Sequence, residues 1–318
     1  MASSGLAAAP AASPLAWLTQ AGLRGMARRE ALTGYLFILP TYLGFLLFVL
    51  GPVTASLGLS MYDWDLLAQK PPRFVGWHNF AELAQDARLL TSFRNTVVFV
   101  LGAVALENAL ALLLAAAVQG VRSRALVYAL RTAYFLPLAL SGAAVAVVLG
   151  YLFHKEFGVV NYYLTLVGLP RVPWLTAGGW SLFAVILAAT WRALGFNFVI
   201  YVAGLQNVPR EMYEAADIDG AGPLAKLLNI TLPLLSPTIL FTAVIGVIGA
   251  LQVFEQPFVM TRGGPGDSSR TVVMIIYESA FQNLAIGYGA AIATLLFVLI
   301  MALTIFQFWL SKRWVHYG

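Results

Sequence analysis

The chain alternates long apolar runs with short polar interruptions. A helix needs about 20 apolar residues to cross the hydrocarbon core of a bilayer. By that measure the pattern predicts spans at about 33–58, 95–118, 132–153, 180–203, 233–257 and 284–310. The runs are continuous, without the alternation of period two that a lipid-facing barrel strand needs. Only helices and closed barrels satisfy their backbone hydrogen bonds in lipid. The expected fold class is therefore an all-α integral membrane protein with about six transmembrane helices, occupying residues 31–318. Residues 1–30 are rich in Ala and Ser and end in Arg24, Arg28 and Arg29. A cleaved signal peptide carries its basic residues before the apolar run. This extension is instead expected to be a mostly disordered cytoplasmic lead-in, in which Leu15–Met26 could lie on the membrane surface as a short helix.

Composition agrees with the pattern. Hydrophobic residues make up 60% of the chain and charged residues 10%, against roughly a quarter charged in a soluble domain. Cysteine is absent, which excludes disulfides and thiolate metal sites, and His78, His154 and His316 form no metal-ligand spacing. The net charge of +5 is too small and too dispersed for nucleic-acid binding. Its placement suggests an orientation. Arg24, Arg28, Arg29, Arg122, Arg124, Arg131, Arg210, Lys226, Lys312 and Arg313 cluster at span ends on one side, whereas the remaining loop cations are spread over longer loops. The excess of Lys and Arg on cytoplasmic loops then places both termini inside.

Three ionisable residues fall within predicted spans: Glu107, Arg192 and Glu255. Such residues are costly in hydrocarbon and usually face a cavity or a partner. With Asn197, Gln252 and the ring of Phe254 they are candidates for a solute pathway, in which polar atoms hydrogen-bond hydroxyl groups and aromatic rings stack on a sugar. Interhelical hydrogen bonding is the competing reading for each polar residue. Glu255, near the end of its run, could simply reach water. No convergent nucleophile, acid/base pair or metal cluster can be assembled, so an enzyme is not expected, and GAGPLAKL at 220–227 lacks the second glycine and hydroxyl of a nucleotide-binding phosphate loop.

The polar stretch 205–231 reads as a helix, a turn and a second helix. Pro209 suits the start of the first helix, Gly220 and Gly222 stop it, and Pro223 begins the second. Glu211, Glu214 and Asp217 recur every three residues and so line one side of the first helix, beside the small Ala215 and Ala216. Small residues permit close approach by another protein, and carboxylates beside them can pair with its arginines.

Glu214-Ala215-Ala216-x-x-Asp219-Gly220-Ala221 followed by Ile230-x-Leu232-Pro233 resembles the EAA loop of binding-protein-dependent ABC importer permeases. REALTGYLFILP at 29–40, FVGWHNF at 74–80, Asn95-Thr96, Phe135-Leu136-Pro137, Phe157-Gly158 with Asn161, and Thr261-x-Gly263-Gly264-Pro265 are similar, over about residues 28–310, to the first permease of the sugar-importer branch. Leu224 and Leu227 stand where that branch commonly has aromatic residues. The resemblance implies a type I ABC importer permease fold in a bacterial or archaeal cytoplasmic membrane, with 205–231 as the coupling loop. It implies ATPase-coupling roles for Glu211, Glu214, Ala215, Ala216, Asp217, Asp219 and Gly220. The implied partners are a second permease in a heterodimer, two copies of a cytoplasmic ATPase that use the ATP, an extracytoplasmic binding protein and lipid. No cofactor is expected on this chain. Alternatives are an ion-coupled secondary transporter using Glu107 and Glu255, and an ABC permease for a solute other than a sugar.

Overall fold

The computed structural model describes residues 16–67, 69, 71–119, 121 and 123–315. It divides into two compact units, residues 1–56 and 57–318. In the first unit, α1 runs from Ala16 to Phe45 and continues through a π-helical turn at Leu46–Leu50 into α2, Gly51–Leu59. Residues 1–15 of the expected disordered lead-in lie outside the described residues, and residues 16–30 are helical, continuous with the span. The alanine, leucine, glutamine and arginine there are good helix formers. The π turn has a local cause. Pro52 has no N–H, and its ring would clash with the carbonyl of Phe48 in a regular helix. The turn widens just before it, so that the Gly51 N–H bonds Leu46 O, five residues back. None of residues 30–59 is buried.

The second unit opens with a small outer structure. Strand β1 (Tyr62–Asp63) pairs antiparallel with β2 (Arg73–Phe74), and Asn79 in α3 (His78–Leu83) donates to the carbonyls of Ser60 and Tyr62 at 2.8 and 3.0 Å. Helix α4 spans Ala87–Gln119, beginning eight residues before the expected 95. Several polar residues that suggest a loop there are helical because they have partners. Asp86 accepts from the N–H groups of Arg88 and Leu89 as a cap, and Asn95 and Thr96 bond the segment 267–272 described below.

The third span is broken. Helix α5 (Arg124–Ala139) and α6 (Gly142–Leu152) meet at 104°, with the Ser141 hydroxyl capping α6 through Ala144 N–H. Short α7 (Val159–Leu166) follows. It is held by Asn161, whose amide donates to Lys155 O and Val172 O and accepts from Val172 N–H and the Trp174 indole. Helix α8 crosses at Gly178–Gln206 without interruption. The loop helices α9 (Arg210–Ile218) and α10 (Pro223–Lys226) lead through a second π turn, Leu227–Thr231, to α11 (Leu232–Leu234) and α12 (Ser236–Leu251). This π turn also ends two residues before a proline, Pro233. The span 223–251 is bent by 69° at Leu235.

The predicted fifth span, 233–257, does not continue as one helix. It stops at Leu251, and the chain resumes as α13 (Glu255–Met260). Helix α14 (Val272–Tyr277), a π turn at Glu278–Gln282 and α15 (Ile286–Ser311) complete the chain. Among the described residues, four helices are long and apolar enough to cross a membrane, or up to six if each bent pair is one span.

Helices α4 and α8 form the centre. Ala103, Ala111 and Ala115 on α4 and Ala184 and Ala188 on α8 are each at most 2% exposed, and small residues of this kind let helix backbones approach in lipid. Between them, Tyr201 donates its hydroxyl proton to Asn108 Oδ1 at 2.7 Å and lies 2.9 Å from Thr242 Oγ1, joining α8 to α4 and α12. At the end where α4 and α15 begin, Asn95 Nδ2 donates to the carbonyls of Asp267 and Arg270, and Thr96 Oγ1 accepts from Val272 N–H. Arg88 reaches Asp267 and Glu278 at 3.1 Å each, and Arg270 closes ion pairs on the same two carboxylates.

Candidate functional site

A cavity of about 520 Å³ is bounded by the break between α12 and α13 and by Leu138 near the end of α5. Its walls are Phe99, Ala103 and Glu107 of α4, Leu138 of α5, Ala189, Arg192, Phe196 and Asn197 of α8, Ile245, Gly246 and Gly249 of α12, and 252–256 across the break. Interrupted helices expose backbone only where it is buried in protein or lines a cavity, and discontinuous spans build the solute sites of many transporters.

All five residues expected on a solute pathway, Arg192, Asn197, Gln252, Phe254 and Glu255, line this cavity. Glu107 joins them. Glu107 and Asn197 are 6% and 4% exposed, and their side chains face one another. A Cβ on Gly246 would stand 2.6 Å from Glu107 Oε1, so α12 presents a glycine where the carboxyl needs room. Arg192 and Glu255 meet at another glycine. A Cβ added to Gly142, the first residue of α6, would overlap the Glu255 carboxylate and come within 3.2 Å of Arg192 Cζ. Arg192 Nε is buried without a hydrogen-bond partner among the described residues. Glu255 is exposed, as its place near the end of the run suggested, and sits beside the cavity's cation, because the chain breaks at 252–254 and restarts at Glu255 itself. Phe254 stacks on Phe258 at 4.8 Å and tilts against Tyr277.

Sequence reasoning missed Gln256, which lines the cavity and is 5% exposed, and the apolar wall residues Leu138 and Ile245. Gln256 carried a usable signal, a polar residue one position after Glu255 in an apolar run. The apolar residues carried none that separates a cavity wall from packing.

The second feature is the loop 205–231. Its first helix has no buried residue. Glu211, Glu214, Ala215 and Asp219 are exposed, Ala216 is half-buried, and Ile218 is 87% exposed. Ala221 N–H bonds Ala216 O at 2.8 Å and Gly220 sits at φ +74°, a left-handed cap that suits glycine. The acidic side divides chemically. Asp217 is ion-paired with Lys226 on α10, whereas Glu211, Glu214 and Asp219 have no ion pair among the described residues. Tyr213 OH lies 2.9 Å from Thr231 Oγ1, a second tie between the two halves of the loop.

Residues 107–316 match the family described as "binding-protein-dependent transport system inner membrane component". The chain is 32% identical over 275 residues to the sulfoquinovosyl glycerol transport system permease protein of Agrobacterium fabrum, covering 86% of this chain and 89% of that one. It is 33% identical over 287 residues to the lactose transport system permease protein of Rhizobium radiobacter, covering 88% and 94%. Against the sn-glycerol-3-phosphate transport system permease protein of Pectobacterium atrosepticum the identity is 32% over 292 residues, covering 91% and 97%. The fold is similar to a chain of a bacterial ABC transporter that imports the acidic polysaccharide alginate, with a TM-score of 0.78, 28% identity, and coverage of 92% of this chain and 98% of that one. The chain also matches a bacterial alginate ABC transporter in complex with an alginate pentasaccharide-bound periplasmic protein, with a TM-score of 0.78 and 27% identity over 92% and 97%. The broken spans, the polar cavity and the exposed two-helix loop are carried by a multi-pass membrane protein that belongs to the family of binding-protein-dependent transport system inner membrane components.

Proposed function

We propose that this chain is a permease subunit of an ABC importer that moves a sugar or sugar-like solute into the cytoplasm. The observation that carries the reading is the cavity between the two broken spans. It gathers hydrogen-bonding groups of both kinds, Asn197 and Gln252 with Glu107, Arg192 and Glu255, beside the ring of Phe254. That combination suits a solute dense in hydroxyl groups, and the relatives named for lactose and sulfoquinovosyl glycerol support the class.

In this reading the binding protein delivers the solute at the end bearing the Arg88, Asp267, Arg270 and Glu278 network, and both termini lie in the cytoplasm. A second permease completes the pathway. Two copies of a separate ATPase dock on the loop 205–231, where Glu211, Glu214 and Asp219 are open to its arginines and Ala215 allows close approach. Gly220 sets the angle between the loop helices. Hydrolysis takes place on the ATPase, and this chain contributes the path and the lever.

Purification of the intact complex followed by reconstitution into liposomes tests the proposal. Solute uptake requiring ATP, the binding protein and both permeases is the expected result. Uptake that persists without ATP and collapses with an ionophore would instead establish an ion-coupled carrier using Glu107 and Glu255.

A further inference from the structure

The cavity holds three ionisable side chains, and their balance bears on which solutes it admits. Two are carboxylates, Glu107 on α4 and Glu255 at the start of α13; one is a cation, Arg192 on α8. The guanidinium is the only group there that would attract an anionic solute, and Glu255 stands beside it. Both groups reach the same glycine, Gly142, where a Cβ would overlap the Glu255 carboxylate and lie 3.2 Å from Arg192 Cζ. The Glu255 carboxylate also lies against the first residue of α6, an 11-residue helix whose positive end favours an anion. An anion drawn to Arg192 therefore meets the protein's own carboxylate beside it. Glu107 faces the same space from the opposite wall with no cation of its own among the described residues, its near neighbours being Asn197 and Gly246.

We infer that Glu255 acts as a charge filter: its carboxylate stands at Gly142 beside Arg192, so that the cavity takes uncharged hydroxylated solutes and rejects anionic sugars of the same size. This inference rests on the reading of the cavity as the solute path. Arg192 retains donors for neutral hydroxyl groups, and its buried Nε has no partner within the described residues. The specificity then resides in one side chain at the break between α12 and α13.

A matched pair of probes isolates charge: methyl glucoside and methyl glucuronide, which differ by a hydroxymethyl group against a carboxylate. Binding to the full chain in lipid nanodiscs is read by saturation-transfer difference NMR, which detects weak complexes. Wild-type protein is expected to saturate the glucoside at least fivefold more than the glucuronide. Glu255→Gln should bring that ratio near one, Glu255→Asp should keep the wild-type ratio, and adding Arg192→Gln to Glu255→Gln should remove the gained glucuronide signal. Equal saturation of both sugars by wild type, or a ratio unmoved by Glu255→Gln in a monodisperse preparation, overturns the filter while leaving the solute path intact. If neither sugar gives a protein-dependent signal in any form of the chain, the solute-path reading and the filter fall together.

Discussion

The Tyr213 hydroxyl lies 2.9 Å from Thr231 Oγ1, so the first helix of the loop 205–231 is tied to the turn that leads into α12. With the Asp217–Lys226 ion pair it makes two cross-links within one short loop. A loop that transmits force must not flex between its point of contact and the span it moves, and these ties resist that flexing.

Tyr213→Phe should therefore loosen the lever without unfolding it. One hydrogen bond contributes about 1 kcal/mol net, too little to prevent membrane insertion. Solute transported per ATP hydrolysed by the reconstituted importer is expected to fall severalfold while the yield of inserted protein is unchanged. An unaltered ratio would show that the tie carries no force.

Glu214→Lys and Gly220→Val test the contact and the angle separately. Glu214 is exposed and without an ion pair among the described residues, so a reversed charge should weaken docking of the ATPase, with co-purified ATPase reduced by tenfold or more. Gly220 has φ +74°, a conformation that costs a non-glycine residue about 1–2 kcal/mol, and more for a β-branched one. Gly220→Val should leave the ATPase bound and abolish coupled uptake.

The network at the opposite end predicts a dependence on acidity. Burial would raise the Asp267 carboxyl, but hydrogen bonds and charge from Arg270 and Arg88 outweigh it and hold the group below its ordinary 3.8. Asp86 is likewise lowered: burial raises it, and hydrogen bonds from Tyr288, Leu89 and Arg88 prevail. A carboxyl lowered in the folded state stabilises fully above its unfolded value of 3.8 and loses that contribution as pH falls through the lower folded value. Asp267→Asn should remove about 1 kcal/mol near pH 7, the modest figure reflecting the half-exposed Arg88. Thermal unfolding in nanodiscs should show the difference between variant and wild type near pH 7, narrowing as the pH drops below 3.8.

Tyr201→Phe removes the hydroxyl that joins α8 to Asn108 and Thr242. Interhelical hydrogen bonds in membranes contribute about 0.6 kcal/mol on average and up to about 1.7. A loss of about 1–2 kcal/mol, read as a lower midpoint of thermal unfolding in detergent, is the expected outcome. No shift would mean that the two partners re-pair with each other.

Asn161→Ala removes the four bonds that hold α7 and the segment reaching Trp174. The exposed Lys155 and Arg171 flank this region, so tryptic cleavage there should accelerate by an order of magnitude or more. Cleavage at the wild-type rate would assign the stability of the loop to the Trp174 cluster instead.

The spans were legible because hydrocarbon imposes a length and a composition on any helix that crosses it. Their breaks were not. Gln252, Val253 and Phe254 contain neither proline nor glycine, and that break reflects a cavity that can be recognised only once α4 and α8 are in place. The early start of α4 was hidden for the converse reason: Arg88, Asn95 and Thr96 look like loop residues until segment 267–278 arrives to bond them. The polar residues of the cavity stood out against an apolar background, so Arg192, Asn197, Gln252 and Glu255 could be named in advance. The pairing of Asp217 with Lys226 could not, since an i to i+9 relation across a turn has no periodic signature.

The unburied first span has a consequence for how the protein is made. Residues 30–59 carry a mean hydropathy of 2.1 over their best window, with no buried residue, so this segment can leave the translocation channel on its own as soon as it is synthesised. Helix α8 differs, with a mean hydropathy of 1.7, half of that window buried, and Arg192 near its middle. An arginine at the centre of an inserting helix is disfavoured by about 2.5–3.5 kcal/mol. Insertion of α8 should therefore wait for α4, already delivered, to offer its alanine face and, to Asn197, the Glu107 carboxyl. The order of the spans along the chain, with the self-sufficient one first and the dependent one after its partner, suits a protein that enters the membrane from the N-terminus.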